Sequence, residues 1–414
     1  MLYERWRKIA GERRNEVALR DAASARRWTF AELFAAGETA TVDGTAFPQG
    51  HSPEFIFQLL AAWRENKLAC PLEAGQSPPE ISSIPENYVH LKSTSATAGA
   101  ARFVAFTAGQ LMADVENIVA TMGLRPNWPN LGVISMAHSY GFSNLVLPLI
   151  LQGIPLILAP APLPEIIRRA AQNENSITLP AVPAMWRAWH EANAIPQNIR
   201  LAVSAGAPLP MNLEQEIFEA RGIKIHNFLG CSECGGIAYD ASETPRSEAT
   251  LAGSPMQNVT LSLHDDGCLK VRSRAVGETY WPEKSDSLGG GIFQTSDLAE
   301  LKNGAVFLRG RLGDQINVAG RKVSPETVER ALLANPRVRE CLVLGVPSRD
   351  EQRTEIIVAV VVADAAETDL KQFLLQSLPA WQVPREWHFV NSLSANARGK
   401  ISRAGWRKHF SSRV

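Results

Sequence analysis

The sequence predicts an α/β protein. It reads as a large N-terminal domain with parallel-sheet layers and a small β region, followed by a small α+β domain. Three observations carry this. Between Leu131 and Arg221, short apolar runs alternate with helical ones at the spacing of strand–helix–strand units. After about Leu251 the helical runs stop and short strands take over. From Gly313 onward, helical and strand-like segments fill about a hundred residues, an ordinary domain size. A chain of 414 residues also exceeds what one core usually holds. The boundary falls at Arg311-Leu312-Gly313-Asp314, giving domains 1–312 and 313–414.

The elements follow in order. Trp28 to Leu33 opens an amphipathic helix with Thr29 as its cap. Phe55 to Trp63 is a second helix, followed by a strand at Leu68 to Leu72, and Pro78 to Asn87 is a connecting loop. The alternating core then runs strand Leu131–Ser135, helix Phe142–Leu151, strand Pro155–Leu158 and helix Ile166–Gln172. It continues with strand Ser176–Leu179, helix Ala184–Glu191, strand Leu201–Ser204 and helix Leu213–Arg221. In the last hundred residues Ser324 caps a helix with Pro325 at its first position, and Val328, Ala331 and Leu332 form its apolar face. Cys341–Val346 and Ile356–Val362 read as strands, and Thr368 as the cap of a helix with Leu370, Phe373 and Leu374 on one face.

Composition narrows the function. The 42 basic residues balance 42 acidic ones, which argues against a general nucleic-acid or anionic-membrane surface. The most apolar stretch, Leu145 to Leu158, is interrupted by Gln152, Gly153 and Pro155 and is too short to span a bilayer, so no integral membrane association is expected. Met1 to Arg7 lacks a signal-peptide core, and five sparse cysteines suit a reducing compartment, so a cytoplasmic location is expected. Cys231-Ser232-Glu233-Cys234 reads C-x-x-C, compatible with a redox pair or half a zinc site, but a zinc site needs further ligands that the sequence does not offer at metal spacing.

Ser93 to Arg102 is a run of small and hydroxyl residues ending in a cation, a composition that lets backbone N–H groups and hydroxyls approach phosphates. His138 follows a strand and precedes a helix. Ser204-Ala205-Gly206-Ala207-Pro208 is a strand-to-helix turn whose small residues let a flat ring pack on backbone. Near the C-terminus stand Thr295-Ser296-Asp297-Leu298, Leu308-Arg309-Gly310-Arg311, Gly320 to Glu326, and Arg398-Gly399-Lys400-Ile401-Ser402-Arg403. An acidic residue, an arginine at a domain edge and a lysine in a Gly-containing loop suit a ribose, a hinge and a developing phosphoryl charge.

The order and spacing of these segments resemble the adenylate-forming enzymes: acyl-CoA synthetases, carrier-protein-loading adenylation domains and luciferases. The resemblance implies that Ser95, Thr97, Gly99 and Arg102 belong to the phosphate loop, where Ala96, Ala98, Ala101 and Arg102 replace a glycine, a threonine, a proline and a lysine. It implies that His138 borders the carboxylate or nucleotide phosphate, and that Gly206, Ala207 and Pro208 back the adenine and line the acyl pocket. His226 to Glu233 resembles the family's Tyr-Gly-x-Thr-Glu motif. On that match Glu233 ligates Mg²⁺, Ser232 sits near the α-phosphate and Asn227 meets the adenine amino group. Leu229 stands where the family has its tyrosine, with Phe228 a candidate to take over its stacking. Asp297 is expected on the ribose hydroxyls, Arg311 at the ribose and hinge, and Gly313 as the pivot of a mobile small domain. Lys400 matches the catalytic lysine between the attacking carboxylate and the α-phosphate. The segment before Ser95 is shorter than the family's, implying trimmed N-terminal layers.

The function this implies is an ATP-dependent acid–thiol ligase. It would form an acyl- or aryl-adenylate and pyrophosphate from a small carboxylic acid. It would then pass the acyl group to coenzyme A or to the phosphopantetheine of an acyl carrier protein. ATP and Mg²⁺ are the expected cofactors. The alternative is a non-catalytic nucleotide- or acyl-binding relative with a degenerate phosphate loop.

Overall fold

The computed structural model describes residues 1–81, 86–94, 102–348, 355–393 and 403–411. At its centre six strands run parallel in the spatial order Val17–Asp21, Leu156–Leu158, Asn130–Gly132, Ile177–Ala181, Ile199–Ser204 and Ile225–Cys231. Most of these strands are buried on both faces, as a parallel sheet covered by helices requires. Beyond Ile225–Cys231 the sheet turns antiparallel, through Gly235–Tyr239 and Leu251–Pro255 to the long hairpin Ile292–Lys302 and Ala305–Arg311. This is the small β region expected from the loss of helical runs after Leu251. The fold is mixed α/β.

The helices form where their apolar spacing allows. Leu2–Glu12 buries Leu2, Trp6, Ile9 and Ala10 on one face, and Trp6 packs 5.9 Å from the Phe30 ring. Thr29 closes a complete capping box with Glu32, as its position predicts. Ala108–Met122 has an equivalent box between Thr107 and Gln110 and ends on Gly123 in the left-handed region. The stretch expected as one helix from Phe142 is two pieces, a π turn Phe142–Val146 and a helix Leu147–Gln152 with Pro148 in its first turn, and a short helix Ser139–Gly141 precedes them. Proline lacks the N–H that would continue the preceding ladder. Leu68–Leu72 makes isolated bridges at Ala69 and Leu72 rather than a strand.

From Ile316 the chain builds a second core. Val338–Pro347 pairs antiparallel with Glu355–Ala363, which pairs parallel with Glu386–Phe389. Side chains alternate across this sheet. Val343, Ile357, Ala359 and Val361 join an apolar cluster with Val328, Leu332, Leu370 and Leu374 of the helices Pro325–Leu333 and Glu367–Leu374. Leu342, Leu344, Val358 and Val360 join Phe410 of the helix Arg403–Ser411 on the other face. Burial on both faces explains the unbroken Val/Ile runs. Ser324 is the N-cap residue, but its hydroxyl bonds Glu326 rather than a backbone amide. Thr368 is not a cap: the helix begins at Glu367 with Ala366 before it.

Candidate active site

The site gathers at the carboxyl ends of the parallel strands, where open α/β sheets leave a crevice for ligands. Asn130–Gly132 leads to Ser135 and His138, Ile177–Ala181 to Val182 and Met185, Ile199–Ser204 to Gly206, and Ile225–Cys231 to Ser232 and Glu233. A cavity of about 180 Å³ opens there. Its wall includes Ser93, His138, Tyr140, Gly206, Phe228 and Ser232, so segments far apart in sequence meet around one space. Ser139 Oγ donates to the Cys231 carbonyl oxygen at 3.2 Å, tying the histidine turn to the Glu233 turn. Gly141 lets that turn close: a Cβ there would lie 2.0 Å from the Ser135 carbonyl oxygen.

His138 occupies the N-cap position of the short helix. Its Nε2 lies 2.5 Å from Glu73 Oε1, a close contact without hydrogen-bond alignment, while Ser135 Oγ donates to the same oxygen at 2.5 Å. Glu73 thus orients the imidazole from a loop that no motif marks. Tyr140 lines the cavity and stacks on Phe228 at 5.8 Å and 25°. Burial pushes its phenol well above the ordinary tyrosine range, which keeps it a neutral donor.

Glu233 sits at the tip of the hairpin between Ile225–Cys231 and Gly235–Tyr239. Tyr280 Oη donates to Glu233 Oε1 at 3.1 Å, and the Arg102 guanidinium lies 3.5 Å from the Tyr280 ring centroid. Burial, then the Glu233 charge, raises the Tyr280 phenol far above its usual value. The cation that ends the small-residue run therefore reaches the Glu233 turn through an aromatic ring that sequence reasoning missed. The signal is absent from the motifs because Thr279–Trp281 comes alongside Phe103–Phe106 only through sheet pairing. Thr94 N and Oγ1 both donate to the Arg102 carbonyl oxygen, at 2.9 and 3.0 Å. Ser95, Thr97 and Gly99 between them, and Lys400, lie outside the described residues.

Beneath the cavity lies a second missed group. Lys92 and Asp114, 2% and 1% exposed, pair at 3.3 Å. Ser143 Oγ is 3.1 Å from Lys92 Nζ and donates to Asp114 Oδ2 at 2.5 Å. Asp114 Oδ1 accepts the Gly236 N–H at 3.3 Å. Gly235 has φ +67°, and a Cβ there would lie 1.9 Å from Asp114 Oδ1. One carboxylate thus joins the strand entering the small-residue run, the helix Ala108–Met122, the π turn and the Glu233 hairpin.

Residues 85–281 match the AMP-binding enzyme family, and residues 327–400 match the AMP-binding enzyme C-terminal domain. The chain belongs to the adenylate-forming AMP-binding enzymes. An uncharacterized acyl-CoA ligase of Bacillus subtilis is 28% identical over 246 residues, 57% of this chain and 50% of the relative. A feruloyl-CoA synthase of an Amycolatopsis species is 26% identical over 402 residues, 90% of this chain and 80% of that protein. The chain spans about half the length of the first of these relatives. The fold matches o-succinylbenzoate CoA synthetase of Bacillus subtilis bound to its acyl-adenylate, with a TM-score of 0.82, 20% identity and coverage of 97% of both chains. It also matches ATP-bound MatB of Rhodopseudomonas palustris, with a TM-score of 0.85, 18% identity and coverage of 99% of both chains.

Within this AMP-binding fold the remaining expected residues divide. Gly206, Ala207 and Pro208 are exposed just beyond the buried end of their strand, leaving backbone open to a ring. Asn227 Nδ2 donates to the Leu251 and Ala252 carbonyl oxygens at 3.3 and 3.4 Å, and Asn227 is not part of the cavity wall. Phe228 lines the cavity and Leu229 does not. Successive side chains in a strand point to opposite faces, and Phe228 is committed to Tyr140 in the cavity. Asp297 and Arg311 face each other across the last hairpin, Nε donating to Oδ1 at 2.8 Å, and neither is part of the cavity wall. The Asp297 charge raises the Arg311 guanidinium further. Gly313 lies in an exposed 3₁₀ turn, Leu312–Asp314, immediately after Arg311.

Cys231 and Cys234 approach to 3.2 Å between sulfurs but are free thiols, and burial raises the Cys231 thiol well above its usual range. Among the described residues no cluster of three His, Cys, Asp or Glu is placed to hold a metal. Nor is any described helix long and apolar enough to cross a membrane.

Proposed function

We propose that this protein activates a carboxylic acid with ATP. The acid's carboxylate oxygen attacks the α-phosphorus, the bond to the bridging oxygen breaks, and pyrophosphate leaves an acyl- or aryl-adenylate. A thiol of coenzyme A or of a carrier protein's phosphopantetheine then attacks the acyl carbonyl and AMP departs. The observation that carries this reading is the meeting of Ser93, His138, Gly206 and Ser232 around one cavity, with Glu233 next to Ser232. The protein's own contribution to the first step is positioning and charge neutralisation.

The geometry and the family match support the following roles. His138, held by Glu73, meets the substrate carboxylate. Ser232 and the run from Ser95 to Arg102 hold phosphates, with Thr97 and Gly99 supplying a hydroxyl and open backbone. Gly206, Ala207 and Pro208 back the adenine, Asn227 accepts from its amino group, and Asp297 with Arg311 holds the ribose. Glu233 fits Mg²⁺, since it offers hard carboxylate oxygens, one of them tied to Tyr280, and this ion typically takes one or two carboxylates plus substrate phosphates. When bound, the ion neutralises phosphate charge.

We assign residues 1–312 to an adenylation domain and 313–414 to a small mobile domain that turns about Gly313 between half-reactions. Separate apolar clusters on either side of the exposed Leu312–Asp314 turn support that division. Lys400 would bridge the carboxylate and the α-phosphate in the first orientation. Five free cysteines favour work in the cytoplasm. Pyrophosphate release across aryl and aliphatic acids, with and without coenzyme A, tests the reading. Mg²⁺-dependent release with some acid is expected. ATP binding without release for any acid would favour the non-catalytic alternative.

A further inference from the structure

We propose that the acid is a compact monocarboxylic acid with a single aromatic ring, and that Tyr140 sets its length limit. This rests on the adenylation reading above. The whole cavity is about 180 Å³. That is only a little larger than the cavity of about 150 Å³ that suffices for benzene. One ring with its carboxyl fills a space of this size.

Tyr140 is a fixed part of the wall. Tyr140 Oη lies 3.3 Å from both the Ala181 and Val203 carbonyl oxygens, which pins the phenol across two neighbouring strands. The same Val203 oxygen accepts Trp186 Nε1 at 3.3 Å, and Trp186 is fully buried with Trp189 edge-on at 5.3 Å. A long alkyl chain would have to displace the tyrosine, break its hydrogen bonding and enter a filled tryptophan pair. A single ring instead meets the Tyr140 and Phe228 faces and the Met185 thioether.

The wall also selects charge. No Lys or Arg lines the cavity among the described residues. Three of its hydroxyls are committed: Ser135 to Glu73, Ser139 to the Cys231 carbonyl and Ser143 to Asp114. His138, in contact with Glu73, is the one histidine on the wall among the described residues. Among the described wall residues a second carboxylate on the acid would meet no cation, and burying it unpaired is costly.

The test is calorimetric titration of the full chain with non-hydrolysable acyl-sulfamoyl adenosines carrying benzoyl, 4-carboxybenzoyl or dodecanoyl groups. The benzoyl compound is expected to bind at least about tenfold tighter than either other. Tyr140→Ala should bring the dodecanoyl compound level with benzoyl or past it. If that variant fails to fold, Met185→Ala, which opens the same wall, should narrow the gap. Tighter wild-type binding of the dodecanoyl or 4-carboxybenzoyl compound overturns this proposal and leaves adenylation standing. Binding of none of the three removes both. An unchanged benzoyl preference in a folded Tyr140→Ala variant removes Tyr140 as the limit.

Discussion

Replacing Asp114 by asparagine keeps its shape and removes one charge from the group beneath the cavity. Lys92 is then left 2% exposed with its ammonium 4.6 Å from the Phe106 ring centroid and its carboxylate partner gone. Ser143 and the faces of Phe106 and, at 6.0 Å, Phe142 remain, but a hydroxyl and ring quadrupoles do not repay an ammonium's lost hydration. Breaking one half of a buried pair costs about 3–5 kcal/mol, so Asp114→Asn should lose about that much stability. At about 2–4 °C per kcal/mol for sizeable domains, the melting temperature should fall by roughly 6–20 °C. Removing both charges tests the cause: Lys92→Met with Asp114→Asn should recover at least about half of the loss. The assay is urea unfolding followed by tryptophan fluorescence, with calorimetry alongside. A loss below about 1 kcal/mol, or a double variant no more stable than the single one, would refute the reasoning.

The other expectations concern proton linkage and the site itself. Burial holds His51, His90 and His226 below the usual histidine range, so their stabilising effect is present above about pH 6.5 and is lost as pH falls through their folded values. His90, stacked 4.1 Å from the Phe142 ring, carries part of this, and His90→Phe should flatten the decline in melting temperature between pH 7 and 5; an unchanged decline places the linkage elsewhere. Glu233→Gln should weaken Mg²⁺ dependence and adenylation together, while Cys231→Ser and Cys234→Ser do little; the opposite pattern in pyrophosphate release would make the thiols the functional pair. Arg403 is held by Asp314, Glu326 and Glu329 at 2.7–3.1 Å, so Arg403→Ala should cost the small domain about 3 kcal/mol, read as faster hydrogen exchange in Pro325–Leu333. Lys400→Ala should slow adenylate formation by about a hundred- to a thousand-fold and leave transfer from supplied acyl-adenylate nearly unchanged; wild-type adenylation would remove Lys400 from the mechanism.

The sequence by itself determined the elements whose physics is local. Thr29 with Glu32, three residues on, is a capping box wherever the chain goes, and alternating apolar runs between Leu131 and Arg221 can pair only as parallel strands under helices. Thr107 with Gln110 was equally legible but unread. Motif order likewise marked His138, Gly206, Ser232 and Glu233, because backbone turns at strand ends need small or capping residues at fixed offsets. What only the tertiary structure decided depends on partners distant in sequence. Glu73 meets His138 across 65 positions, Tyr280 meets Glu233 across 47, and Asp114 meets Lys92 across 22. Side-chain direction was decided there too: strand alternation turns Phe228 into the cavity and Leu229 away from it. Arg403, which flanks the lysine motif in sequence, is drawn into three carboxylates instead. Charges and rings find their partners through packing, and packing is set by which strands become neighbours.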